Sequence, residues 1–117
     1  MDRRYGQVHD RRGTLVTPVQ GDIWWAESEG QRRPVLVVTR SEAIPVLNRI
    51  LVAPVTRTIR GIPTEVRLGN EDGLPETSVA SFDNLQPVPK SFLTSRLGTI
   101  WHRRHEICSA LEALSDC

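Results

Sequence analysis

Arg33 and Thr56 are the side chains of this sequence whose type and neighbourhood best suit work on a phosphate. Arg33 stands immediately before the apolar run Pro34-Val35-Leu36-Val37-Val38, and Thr56 closes the run Ile50-Leu51-Val52-Ala53-Pro54-Val55. A guanidinium offers a planar fork of donors to the non-bridging oxygens of a phosphodiester, and a hydroxyl adds one more hydrogen bond. If the two runs pair in one sheet, their polar ends converge at a rim. Spacing alone leaves a plainer alternative open, because Arg-Pro commonly begins a strand and threonine is a good β residue.

The elements that must position this pair follow from patterning. Residues 1–20 form a polar lead-in broken by Gly6, Gly13 and Pro18, expected to be a flexible tail or to order on a partner, with a single domain over 21–117. Residues 22–27 read as an aromatic and β-branched strand, 28–32 as a polar loop around Gly30, and 34–40 as a strand buried on both faces. Residues 41–48 connect to a second long strand at 49–56. In 64–68 the alternation points Val66 and Leu68 inward and Glu65 and Arg67 outward. A dense turn signal over 69–75 precedes strands at 78–82 and, last and at an edge, 96–100. Residues 102–115 carry Ile107, Leu111 and Leu114 at helical spacing, with Cys108 expected beside them on the buried face. Short strands joined by Gly and Pro turns and closed by one helix define a β-rich α+β chain, a small, mostly antiparallel barrel.

Composition narrows the chemistry. The formal net charge of +1 gives no global case for nucleic acid, but Lys90 is the only lysine and the arginines gather at Arg32/Arg33, Arg57/Arg60 and Arg103/Arg104. Arginine clusters suit phosphate and base recognition, although solvated arginines in an arginine-biased chain fit equally well. Arg103 and Arg104 open the helix, where positive charge opposes the dipole, which hints at an anionic partner. Trp24 or Trp25 is expected in the core or at a subunit contact, and Trp101 as an anchor for the helix. Cys108 and Cys117 are poorly spaced for a structural bridge and read as reduced thiols. With no apolar run long enough to cross a bilayer and no signal-peptide core, the expected location is cytoplasmic. His102 and His105 with Glu106 lack a further ligand for a metal site. No phosphate-binding Gly-Lys-Ser/Thr string or Gly-x-Ser-x-Gly elbow occurs, which argues against a nucleoside-triphosphate enzyme or a serine hydrolase.

Several segments stand in a familiar order. Gly21-Asp22-Ile23-Trp24, Ser28-Glu29 with a glycine-containing loop, Arg33-Pro34-Val35-Leu36-Val37-Val38 and Ala53-Pro54-Val55-Thr56 resemble, in order and spacing, the MazF/PemK family of toxin endoribonucleases. The similarity continues through Thr64-Glu65-Val66, Asp72-Gly73-Leu74, the strand after Ser78 and Leu97-Gly98, about residues 21 to 115 in all.

The resemblance implies an SH3-like barrel of the type shared with the gyrase-poison toxins. It implies metal-independent cleavage of single-stranded RNA, with no cofactor, by attack of the ribose 2′-hydroxyl to leave a 2′,3′-cyclic phosphate and a 5′-hydroxyl. Arg33 and Thr56 would be the catalytic pair. A branch of the family carries Arg-x-Asp on a later strand; Ser81-Phe82-Asp83 keeps only the aspartate, so Asp83 is an auxiliary base or base-recognition candidate, or simply a turn residue. Glu29 and Arg32 in a loop shorter than is usual in the family, Arg57 and Arg60 after Thr56, and Asn84 would contact RNA. The implied partners are a second copy of the chain and an acidic, partly disordered antitoxin, with neither DNA nor membrane. The alternatives are a non-catalytic toxin of the same fold that binds a protein target such as gyrase, and a degenerate binding module.

Overall fold

The structure, a computed structural model, describes residues 8–9 and 15–115 of the chain. Among these residues there are nine strands and one α-helix: β1 (Val8–His9), β2 (Leu15–Val16), β3 (Asp22–Ser28), β4 (Gln31–Val37), β5 (Arg49–Thr56), β6 (Glu65–Leu68), β7 (Ser78–Ser81), β8 (Gln86–Pro89), β9 (Leu93–Thr99) and α1 (Arg104–Ser115). The main sheet runs β6-β7-β5-β4-β3-β9 with β8 also on β5, and its neighbours are antiparallel. It curls strongly into a half-barrel, with α1 as its single α-helix, so the fold is β-rich α+β. The lead-in expected over 1–20 falls largely outside the described residues, although Val8–His9 pairs with Leu15–Val16. Its last residue is firmly held. Gln20 is buried, its amide Nε2 donates to the Val38 carbonyl, and its backbone N–H donates to Ser41 Oγ.

β5 is the strand around which the sheet curls. Arg49 to Val52 lie opposite Pro89 to Gln86 of β8, Val52 to Pro54 lie opposite Val37 to Val35 of β4 on the other side, and the end moves to β7, where Val55 faces Ala80 and Thr56 faces Val79. Between those two ladders the chain crosses from β7 to β8 through a 3₁₀ turn at Phe82–Asn84. Pro54 falls at the break, where the missing N–H costs the sheet no hydrogen bond.

Period-two alternation then gives the sheet two apolar faces. Ile23, Leu36, Ala53, Val55 and Phe82 pack with Ile107 and Ala110 of α1, while Trp24, Val35, Val37, Ile50, Val52 and Leu93 form a second cluster on the other side. The continuous apolar run of β4 is the sequence trace of this two-sided burial. In β6, Val66 and Leu68 are buried as their alternation predicts.

Several expectations need correction. The segment 28–32 is not a loop. β3 runs to Ser28, β4 begins at Gln31, and Glu29 and Gly30 turn the hairpin with φ of 49° and 80°. Left-handed backbone at both central residues is what the right-handed twist of a two-residue hairpin demands. On α1, Cys108 is exposed, and Ala110 completes the buried face with Ile107 because i+3, not i+1, lies on the same side of a helix. Leu114 is exposed as well. Trp101 is 51% exposed beneath Arg104, 5.0 Å from its ring centroid, and does not anchor the helix from within.

Arg103 does not await an outside anion. It donates to Asp72 at 3.1 Å, to Glu106 at 2.9 Å and to the Arg67 carbonyl, which ties the entry of α1 to β6 and to the 3₁₀ turn at Asn70–Asp72. Its hydrogen bond draws the Glu106 pKa downward.

Asp22 is the buried acid of β3. Its Oδ2 accepts from Val19 N–H and Trp24 Nε1–H, while Oδ1 has no hydrogen-bond partner among the described residues and lies 3.9 Å from Arg96. Burial outweighs these contacts and raises the Asp22 pKa above its ordinary 3.8. The native state therefore binds the proton more tightly than the unfolded chain, and stability is lost as pH rises from about 3.8 through the raised value. Asp22→Asn keeps one acceptor and removes the charge. The melting temperature of the variant relative to wild type is expected to rise across that window; a constant difference from about pH 3.5 to about pH 7, a span that brackets the ordinary carboxylate range, contradicts the assignment.

Candidate active site

The site lies where β5 leaves β4. Their ladder stops at Val35 opposite Pro54, although the same register carried outward would set Arg33 against Thr56. Pro34, which the register sets against Val55, has no N–H to give to β5, and the last residues of β5 pair with β7, so the strands part. Arg33 keeps its backbone fixed from the other side, paired with Ala26 of β3. Alternation places Arg33 and Thr56 on the same face as Val35 and Val37, beyond the end of that apolar cluster.

The opening is a groove of about 670 Å³ whose polar walls include Arg33, Thr56, Thr58, Arg60, Asp83 and Asn84. Thr56 Oγ1 accepts from the Thr58 N–H at 3.1 Å, which orients the hydroxyl and leaves its own hydrogen to donate. Arg33 is exposed, and its guanidinium makes no hydrogen bond or ion pair among the described residues. None of its donors is taken by a described residue. Among the described residues Asp83 is the one carboxylate lining the groove, and Thr64 Oγ1 donates to its Oδ2 at 2.7 Å. Asn84 Nδ2 donates to Ser81 Oγ at 2.9 Å, which braces the 3₁₀ turn that forms this wall. Glu65 accepts from the backbone N–H of Arg60 at 3.1 Å and of Gly61 at 2.9 Å, holding the loop that presents the Arg60 side chain.

Arg33, Thr56, Arg60, Asp83 and Asn84 are therefore gathered in one groove, and the remaining candidates are not. Arg57 turns away and pairs with Glu76 at 2.9 Å. The guanidinium of Arg32 lies 4.0 Å from the Trp25 ring centroid and 3.6 Å from Glu27, beside a smaller cavity of about 240 Å³ that it shares with Arg33. Glu29 sits in the hairpin turn and lines no part of the groove. Sequence reasoning missed Thr58, Thr64 and Ser81. Thr58 carried a usable signal, since a threonine hydroxyl readily caps an N–H two residues on; Thr64 and Ser81 carried none. His102 and His105 are exposed on the far segment that opens α1, and no group of three or more potential metal ligands clusters among the described residues.

A strongly curled antiparallel sheet with one C-terminal helix is the fold of a known class of toxins. Residues 19–115 match the PemK-like, MazF-like toxin family of type II toxin–antitoxin systems, and the chain belongs to that family. Among its relatives, a probable endoribonuclease MazF5 of Mycobacterium tuberculosis is 45% identical over 103 residues, covering 86% of this chain and 94% of its own length. The M. tuberculosis toxin MazF-mt6 superposes with a TM-score of 0.74 at 34% identity over 81% of this chain and 96% of that one. A MazE–MazF crystal structure from Deinococcus radiodurans gives a TM-score of 0.69 at 25% identity over 85% and 95%.

Proposed function

We propose that this chain is the toxin of a type II toxin–antitoxin pair and cuts single-stranded RNA in the groove between β4 and β5. The observation that carries this reading is the convergence of Arg33, Thr56 and Asp83 on one groove in a chain whose family relatives are named endoribonucleases. With the scissile phosphate on Arg33 and Thr56, the adjacent ribose 2′-oxygen attacks phosphorus. The O2′–P bond forms and the P–O5′ bond breaks, leaving a 2′,3′-cyclic phosphate and a 5′-hydroxyl. Arg33 stabilises the charge that accumulates on the phosphorane oxygens, and Thr56 donates to one of them. Arginine is a poor general base near neutrality, so the 2′-hydroxyl proton passes to Asp83, the carboxylate of the groove, and the departing O5′ takes a proton from solvent. No step needs a metal ion.

The reading extends to partners. The exposed Val46, Leu47 and Leu51 border one shallow cavity of about 690 Å³, an apolar surface that supports a homodimer. The D. radiodurans relative is described as a MazE–MazF assembly, and an acidic antitoxin segment would compete with RNA for Arg33 and Arg60. The cytoplasm is the fitting location; no helix among the described residues is long and apolar enough to cross a membrane. Nothing in the relatives named above favours the gyrase-binding alternative.

Purified protein incubated in EDTA with a long unstructured RNA is expected to produce discrete fragments bearing cyclic-phosphate and 5′-hydroxyl ends. Intact RNA, or fragments with 5′-phosphates, overturns the reading. Arg60→Ala is expected to weaken RNA binding and to reduce the slope of log affinity against log salt by about 0.7, the share of one phosphate contact on a single strand. An unchanged slope in a fluorescence-anisotropy titration removes Arg60 from the phosphate path.

A further inference from the structure

On the opposite face of the sheet from Arg33 lies a second cavity, of about 330 Å³, which the cleavage site does not use. It shares Val55 and Thr56 with the groove, so the two meet around the end of β5. Register puts Trp25 across from Pro34 on this face, and these two with Leu74 and Pro75 give the cavity a mainly apolar, flat-sided lining. Arg57 and Glu76 supply its charged groups, paired at 2.9 Å with side chains 72% and 59% exposed. An ion pair so exposed contributes little to the fold, and a ligand can divide it at small cost.

We propose that this cavity holds one unpaired base of the RNA beside the scissile phosphate, and that Arg57 and Glu76 read the edge of that base. The chemistry of the lining separates this from a phosphate site. Glu76 cancels the charge of Arg57 and would repel a phosphate, whereas a base needs both an acceptor for its N–H groups and a donor for its carbonyl or ring nitrogen. Pro34, Leu74 and Pro75 offer apolar surface to the face of a base while the paired side chains meet its rim. Every base presents on that rim a donor next to an acceptor and can engage the pair, and guanine does so through two adjacent donors, N1–H and the N2 amino group, beside its O6 acceptor. Thr56, common to both cavities, couples the position of the base to that of the phosphate.

This inference rests on cleavage at Arg33 and Thr56, and the test keeps the two apart. Wild type, Glu76→Gln and Arg57→Gln are each incubated with an RNA library randomised around the cut, and the fragment ends are sequenced. Both substitutions lie at exposed positions and leave the apolar clusters intact. Each variant is expected to cleave, with the base preference at one position next to the cut altered by about tenfold, the order of one lost bidentate contact, and the preference at other positions retained. A uniform drop in rate with an unchanged preference assigns the pair to phosphate binding or to structure and overturns the proposal. Unchanged cleavage with lost inhibition by the antitoxin assigns the cavity to a protein partner and likewise overturns it. If wild type itself does not cut, the cleavage reading falls first and the base pocket with it.

Discussion

Arg33→Ala is expected to slow single-turnover RNA cleavage by about 10²- to 10³-fold, the loss typical of removing one preorganised donor from a developing oxyanion. The reasoning starts from what holds the residue. Its backbone is paired with Ala26, so truncating the side chain leaves the strand in place, and its guanidinium has no partner among the described residues to be orphaned. Stability should therefore be almost unchanged, and affinity for RNA should fall far less than rate, because other groups such as Arg60 also line the groove. Arg33→Lys restores a charge without the planar fork and should recover only part of the rate. Thr56→Ala removes one neutral hydrogen bond and should cost about tenfold. Rapid-quench measurements at saturating enzyme check all three. A loss in Arg33→Ala confined to binding would make the arginine a substrate clamp and leave the transition-state role without support.

A large effect on folding is expected of Gly98→Ala. A Cβ at Gly98 would sit 2.0 Å from the Asp72 carbonyl oxygen, and one at Gly73 would sit 2.1 Å from the Leu97 carbonyl oxygen. The 3₁₀ turn at Asn70–Asp72 and β9 thus meet backbone to backbone, with no flexible side chain to yield. The same turn carries Asp72, whose buried carboxylate accepts from Gly69 N–H and Arg103. Pushing the turn away would loosen the tie to α1 along with the packing. A cost of at least about 3 kcal/mol is expected, the upper range for overpacking in a site that cannot relax. Gly30→Ala is the contrasting control. Its φ is +80° but nothing lies within 4 Å, so only the left-handed backbone is penalised, at about 1–2 kcal/mol. Urea denaturation should rank Gly98→Ala well below Gly30→Ala, and the reverse order would refute the close contact.

What could be read in advance, and what could not, divides along physical lines. The alternation in β6 and the double-faced apolar run of β4 are dictated by burial, so the sequence announces them. That Arg33 and Thr56 line one groove follows from the same logic, since adjacent antiparallel strands bring the start of one to the end of the next. The direction of an exposed arginine is a different matter. Arg57 and Arg60 occupy the same loop, yet one meets Glu76 and the other lines the groove, a choice made by residues distant in sequence. Arg103 looked like a cation opposed to a helix dipole because Asp72, thirty-one residues away, was invisible to local reasoning. The hairpin at Glu29 and Gly30 was misjudged because a non-glycine residue takes one of its two left-handed positions.

The most direct test of the central claim uses one RNA in two forms, identical but for a hydrogen in place of the 2′-hydroxyl preceding the cut. In EDTA, the groove at Arg33 and Thr56 should bind both forms equally and cleave only the one with the hydroxyl. Cleavage of the 2′-deoxy form at the same bond would mean that water rather than the ribose attacks phosphorus, and would contradict the mechanism assigned to this site.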